Sequence, residues 1–182
     1  EQTEYLVMKL LGWQWADGGW NFDKRPEASH SSFWESWTPL CALLTWRERA
    51  GSFPALDAAI EKSVQFFLRK RLFLRESSGE VMQPEFTCLS HPSYWKYDFL
   101  VGLELMLLAD KLSNPRCKPA LELLESKMLA GGAFCVEDKQ LQALNPAAWH
   151  YSPVDWGSKS NKKMNPWLTV RALSVLKAAG KI

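Results

Sequence analysis

At 182 residues the chain is long enough to bury one sizeable core, and its apolar content of 47% sets it apart from disordered sequences. The 22 Lys and Arg against 20 Asp and Glu leave a formal charge of +2, which excludes the basic footprint of a nucleic-acid-binding protein. Ten tryptophans stand out and imply a large aromatic surface, in a core or lining a cavity.

Cys41, Cys88, Cys117 and Cys135 form no CxxC pair. A chain of this length needs no disulfide framework, so they read as reduced thiols of a cytoplasmic protein. The greasiest stretch, Phe99 to Ala109, is interrupted by Glu104 and too short to span a bilayer, so no stable membrane span or signal peptide is expected. The sequence opens on EQTEYLVMKLL without Met, which reads as a fragment or a trimmed chain.

In chain order, helix is predicted almost throughout. The first helix runs from Glu4 to Trp13, with Tyr5, Met8 and Leu11 or Gly12 on one face. The second runs from a Ser36 N-cap to Ala50, closed by Gly51, and carries Trp37, Leu40, Cys41 and Leu44 as one stripe. The third starts at Pro54 and continues to Arg75, with Leu56, Ile60, Val64, Phe67 and Leu68 inward. The fourth, Tyr97 to Leu112, is apolar nearly all round and so buried on both sides. The fifth and sixth each open on Asn-Pro, at Asn114 and Asn165, and run to Leu129 and Ala179. No segment alternates with period two long enough to predict a sheet.

The loops after the first, third and fifth helices are long, and the others short, so the helices group into three hairpins at about 1–51, 52–112 and 113–182. LGWQWADGGW followed by SWTPLCALLTWRERAG matches LESKMLAGGAF followed by PWLTVRALSVLKAAG. Each has a helix end, a Gly-Gly turn with an aromatic residue, a long loop and a Trp-led helix ending in Ala-Gly. The middle unit, RLFLRESSGE and then YWKYDFLVGLELML, is a looser copy. The period of about 55–60 residues exceeds that of common helical repeats. A stacked or closed array of helix pairs is therefore expected.

Gln14-Trp15-Ala16-Asp17-Gly18-Gly19-Trp20, with Leu10 four residues before Gln14, resembles the Gln-Trp repeat of triterpene cyclases. Their α/α-toroid superfamily also holds protein prenyltransferase β subunits. The motif spans Leu10 to Trp20, with an echo at Leu129 to Phe134. The resemblance implies an all-α, toroid-like array. Its three hairpins against the family's six imply a half toroid, an open arc, a fragment, or a unit completed by self-association. In that family the motif is structural: Gln14 would cap a neighbouring helix terminus, Trp20 would pack on the adjoining repeat, and Gly18 and Gly19 would permit a sharp turn.

The resemblance does not bring the family's catalytic motifs with it. No two aspartates are adjacent, so the Asp-rich acid of class II cyclases and the magnesium cluster of class I chemistry are both missing. Only Cys88 and His91, in CLSH, have local zinc-ligand spacing, and two ligands fall short of a site. No cofactor or metal is assigned.

Two polar constellations remain. NFDKRPEASHSSFWE leads into the second helix and HPSYWKYD into the fourth. In a toroid such loops gather over the central cavity. His30, Glu35, His91 and Asp98 are the candidate catalytic groups, since His with a carboxylate is the common acid/base pair at neutral pH. Asp23, Arg25, Trp34, Trp95 and Tyr97 are candidate substrate-binding groups, Arg25 for an anionic group. Phe22, Phe33 and Trp34 argue that the first loop is ordered. An architectural reading stands beside this: Asp98 caps the fourth helix, Glu35 complements the dipole of the second, and Ser31 or Ser32 caps it. Glu104 either faces the cavity as an acid of raised pKa or is satisfied by Lys96, Lys111 or water. A third loop, Gly131 to Lys163, holds Trp149, His150, Tyr151, Asp155 and Trp156 and reads as a lid or as a cover for the end of the array.

Three functions compete. The chain binds or transforms an isoprenoid-type hydrophobic molecule in a Trp-rich cavity, where aromatic faces also stabilise carbocations. Or it is a non-catalytic toroid module for a protein or lipid. Or it resembles the α/α-toroid polysaccharide lyases, with Arg25 or His30 as base and Trp platforms for sugar rings. Three hairpins should also leave apolar faces at the array ends.

Overall fold

A computed structural model describes residues 2–23, 25, 27–138 and 154–182. Among these the chain is all-α, with six α-helices and no β-strand. They are α1 Gln2–Gly12, α2 Phe33–Ala50, α3 Pro54–Arg69, α4 Phe99–Leu108, α5 Lys118–Ser126 and α6 Pro166–Ala178. Short 3-10 turns cover Pro84–Thr87 and Pro115–Cys117. Helix α4 packs on α2 at one side and α6 at the other, with α5 also against it. Helix α1 packs on α2 and α3, and α3 reaches the turn that leads into α5. The even-numbered helices are thus in contact in series, α2 with α4 and α4 with α6.

Capping chemistry moves the predicted boundaries. Helix α2 starts at Phe33, not Ser36, because the Ser32 hydroxyl accepts from Trp34 N. Asp98 caps α4 by accepting from Val101 N, so Tyr97 stays outside the helix. Asn165 caps α6 by accepting from Leu168 N. Helix α3 ends at Arg69, well before Arg75, because Arg71 and Leu72 turn into the left-handed region at φ 45° and 70°. α2 also carries Pro39 in its interior, where the missing N–H leaves the Glu35 carbonyl without its ladder donor.

The core is built of Leu and Phe, not Trp. Leu56, Ile60, Val64, Phe67 and Leu68 of α3 are buried as expected, and Phe99 to Leu103 of α4 with them. Phe33 stacks on Phe67 at 4.7 Å and meets Phe66 and Tyr97 at 5.2 and 4.8 Å. Of the described tryptophans only Trp20 is buried. An indole needs a partner for its N–H when it leaves water. Trp20 has one in the Leu10 carbonyl at 2.9 Å. On α1, Tyr5, Leu6 and Met8 face solvent and Val7 faces the core.

The Gln-Trp stretch is architectural in detail. Gln14 Nε2 donates to Gly18 O at 3.0 Å, closing its own turn, and to Ala59 O at 2.8 Å in α3. Ala59 lies inside α3, so Gln14 pins a neighbouring helix along its flank instead of capping its end. Gly18 sits at φ 103°, and a Cβ there would overlap the Lys62 carbonyl. Trp20 N donates to Ser36 Oγ at 2.8 Å, Ser36 Oγ donates to Trp20 O, and Ser32 N donates to Trp20 O at 3.0 Å.

The third unit repeats this residue for residue. Phe134 N donates to Thr169 Oγ1 at 3.0 Å, Thr169 Oγ1 donates to Phe134 O, and Asn165 N donates to Phe134 O at 2.9 Å. In both units the hydroxyl lies four residues after the cap. The matching position of α4 is Gly102, which has no hydroxyl. The Tyr97 side chain fills that space instead and donates to Leu72 O at 2.6 Å.

Candidate functional site

The row of even helices carries a cleft of about 370 Å³. Trp37 and Cys41 of α2, Leu105 and Leu108 of α4, and Val170 and Ser174 of α6 line it. Residues three and four apart share one helix face, so each helix turns a single stripe into the cleft. Its wall is mostly apolar, and its charged groups lie at one place. There Arg171 Nε and Nη2 of α6 donate to the two oxygens of Glu104 of α4, at 2.7 and 2.6 Å. This is the two-pronged geometry that suits guanidinium and carboxylate. The partner of Glu104 is therefore Arg171, not Lys96 or Lys111. Burial opposes the Arg171 charge, and the bonds from Glu104 outweigh it, so its pKa is raised.

Arg171 joins this pair to the loop before α4. Its Nη1 donates to Ser90 O at 3.2 Å and faces His91 Nδ1 at 3.4 Å. Asp98 Oδ2 accepts from Ser90 N at 2.9 Å and from Ser90 Oγ at 2.6 Å, while Oδ1 accepts from Val101 N at 3.0 Å. Complete burial pushes the Asp98 carboxyl up, against the Arg171 charge and these three bonds. His91 is pushed the other way, down to about 4, by burial and by the Arg171 charge, so it is neutral near pH 7. With Nδ1 turned to a donor, the ring proton belongs on Nε2. That atom is buried and has no hydrogen-bond partner among the described residues. Trp167 stacks over the ring at 6.4 Å and Trp156 meets its edge at 5.5 Å.

Two of the four candidate catalytic residues, His91 and Asp98, thus belong to one network. The other two do not join it. His30 is exposed and contributes its backbone carbonyl to Asn21. Glu35 lies in the first turn of α2. Neither side chain is hydrogen-bonded or ion-paired to the Arg171 network. Asp23 and Arg25 form a surface ion pair with each other, and hydrogen bonds from Arg25 hold the Asp23 carboxyl at about 2. Phe22 of that loop is exposed, whereas Phe33 is buried. Cys88 donates through Sγ to Pro84 O, and His91 is occupied by Arg171, so CLSH gathers no ligand set. Among the described residues no three His, Cys, Asp or Glu side chains gather as a metal site.

A second cleft of about 440 Å³ lies between the start of α2 and the loop before α4. Trp34, Glu85, Phe86, Lys96, Tyr97 and Asp138 are among its walls. Trp34 and Trp95, each partly exposed, meet at 5.1 Å, and Trp37 Nε1 donates to Trp95 O at 3.3 Å. Lys96 pairs with Asp138. The candidate binding residues Trp34, Trp95 and Tyr97 therefore cluster, though the Tyr97 hydroxyl is spent on Leu72. Trp149, His150 and Tyr151 of the third loop, and Lys24 of the first, lie outside the described residues.

Arg171 is the member of this network that the sequence reading missed. Its signal was present. It is the only charge in the middle of PWLTVRALSVL, as Glu104 is in FLVGLELMLL. Two lone opposite charges on two apolar helices are a pair in waiting. All four cysteines are free thiols, and no described helix is long and apolar enough to cross a membrane. Comparison with protein-family models, with curated proteins and with solved structures found no match.

Proposed function

We propose that the chain is an α/α-toroid-type array of three helical hairpins that binds an isoprenoid-type apolar molecule on the face of α2, α4 and α6. The observation that carries this reading is the cleft between those three helices. It is lined mostly by apolar side chains and holds one ion pair. Its 370 Å³ falls in the range of small-molecule pockets, about 300–1,000 Å³. The internal match of the Trp20 and Phe134 turns supports the repeat architecture. The absence of adjacent aspartates favours binding over cyclisation.

The test uses Val170, which is 65% exposed and lines the cleft. Val170→Asp places a charge in the groove without touching the core. Farnesol should quench tryptophan emission saturably in the parent protein and bind at least about tenfold more weakly to the variant, as expected when a carboxylate is desolvated beside an apolar ligand. Equal affinity in both proteins would remove the cleft as the site.

A second reading has its own observation. Tyr5, Leu6 and Met8 on α1 and Trp167 on α6 are apolar and exposed on the first and last helices. Such faces fit self-association that extends or closes the arc. Sedimentation across a hundredfold concentration range should reveal a dimer or larger species, and a constant monomer mass would end this reading.

A further inference from the structure

Resting on the reading of the even-helix cleft as an isoprenoid site, we infer that its polar end takes an uncharged hydroxyl, accepted by Glu104, and discriminates against a diphosphate. The ligand class is then a free isoprenoid alcohol rather than an activated prenyl donor.

The charge of the cleft carries the argument. Among the described residues Arg171 is the only cation on its walls. A guanidinium has five N–H donors in a fixed fork. Nε and one Nη2 hydrogen of Arg171 go to Glu104, and Nη1 is directed at Ser90 O and His91 Nδ1. Little donor capacity is left for a phosphate. Its positive charge is matched by Glu104, and the Asp98 carboxyl interacts with the same guanidinium. The other titratable groups that face the pair supply no positive charge. Burial raises the Cys41 thiol, and His91 is neutral near pH 7. A diphosphate would bring at least two negative charges to a partly buried spot whose own charges sum to zero or less.

A hydroxyl meets different terms. A carboxylate offers about four acceptor positions, and Arg171 uses two of those on Glu104. Glu104 lines the cleft and its side chain is 29% exposed, which leaves the other acceptor positions for a ligand. A hydrogen bond from a neutral alcohol to an ionised acceptor is of the stronger kind. A pure hydrocarbon fills the same groove without that bond.

Three ligands with one carbon skeleton test this on the full chain: farnesene, farnesol and farnesyl diphosphate, titrated by tryptophan quenching below their aggregation limits. Farnesol should bind at least about tenfold more tightly than either of the others, since a site built around a polar contact rejects analogues that cannot make it. Val170→Asp should weaken all binding in parallel. Glu104→Gln keeps an acceptor for Arg171 but removes a negative charge. It should narrow the gap between farnesol and farnesyl diphosphate by about tenfold, with helical content by circular dichroism confirming that it folds. The parent ordering decides the matter even if that variant unfolds. Farnesyl diphosphate binding as tightly as farnesol, with both lost in Val170→Asp, would overturn the hydroxyl assignment and leave the isoprenoid reading standing. Equal affinity for farnesene and farnesol would do the same. No binding of any of the three would overturn both.

Discussion

The loop entering α2 and the loop entering α4 carry nearly the same chemistry in nearly the same place. Each has a histidine, an acidic residue close to the helix start, and several aromatics. In the first, His30 stays exposed, Asp23 and Arg25 pair with each other in solvent, and the helix is capped by the neutral Ser32. In the second, Asp98 is buried, His91 is packed under tryptophans, and both are joined to a cation from α6. What separates them is a neighbour. α4 packs on both α2 and α6, and α6 supplies Arg171, whereas the charge that α3 brings to the loop before α2, Arg69, donates to the Asp17 carbonyl, and the Asp17 carboxylate accepts from Ser31. A polar loop becomes a network when a packed helix delivers a charge to it that burial then forces to be paired.

Removing that charge should have the largest effect. Arg171→Met leaves Glu104, the Ser90 carbonyl and His91 without their shared donor. Breaking a mostly buried pair from one side should lower unfolding free energy by about 2–4 kcal/mol in urea denaturation. A loss under about 1 kcal/mol would mean that water replaces the guanidinium and that the two loops differ less than their geometry says.

The caps offer a sharper form of the same contrast. Asp98→Ala and Ser32→Ala both delete an N-cap. Ser32→Ala should cost about 1 kcal/mol, the ordinary value of a cap. Asp98→Ala should cost about 2–4 kcal/mol, because Ser90 N, Ser90 Oγ and Val101 N all lose a buried acceptor. Equal costs would reduce Asp98 to a cap and nothing more.

His91 supplies a pH test of smaller size. Its folded pKa is about 4 against 6.5 for the free side chain. Between those values the unfolded chain binds the proton and the folded chain does not. Stability therefore falls as pH drops from about 6.5 to about 4, is constant in this respect below that, and is fully present above the unfolded value. The ring is only about half buried, so solvent screening reduces the effect to about 1 kcal/mol. His91→Gln should flatten that part of the stability–pH curve, read from thermal melts at closely spaced pH.

The smallest effect belongs to the first loop. His30→Ala should shift unfolding free energy by less than about 0.5 kcal/mol, as exposed positions do. Adding Arg25→Ala should leave the melting temperature within about 1–2 °C of the parent, because exposed ion pairs contribute little. The same double variant should bind farnesol like the parent. Loss of binding there would move the functional site to the loop before α2 and reverse the comparison.

Much of the local structure was readable from residue order alone. Helix types follow from apolar spacing and the start of α6 from Asn-Pro, whereas Asn114-Pro115 opens a 3-10 turn and α5 begins only at Lys118. The matched turns at Trp20 and Phe134 follow from their Gly-Gly signatures, because Gly18, Gly131 and Gly132 take left-handed backbone without the cost that a Cβ adds. The inward stripe of α3 is a matter of periodicity and came out as expected. Boundaries were less legible. Ser32 and Ser36 are both good caps by type, and only the position of Trp20 decides that Ser36 bonds a turn instead.

The site lay further from the sequence. Glu104 and Arg171 are 67 residues apart, His91 and Arg171 80 apart, and no local pattern encodes which stripe of α6 faces which stripe of α4. The end of α3 was misjudged for a related reason. Arg71 and Leu72 are ordinary helix formers that adopt left-handed backbone because the chain must turn there toward the loop before α4. Residue order by itself determined an all-helical, repeating chain, since hydrophobic period, caps and turn glycines act over a few residues. Tertiary packing alone decided which of two similar loops is buried and which cation meets Glu104, since the penalty for an unpaired charge exists only after helices distant in sequence have closed over it.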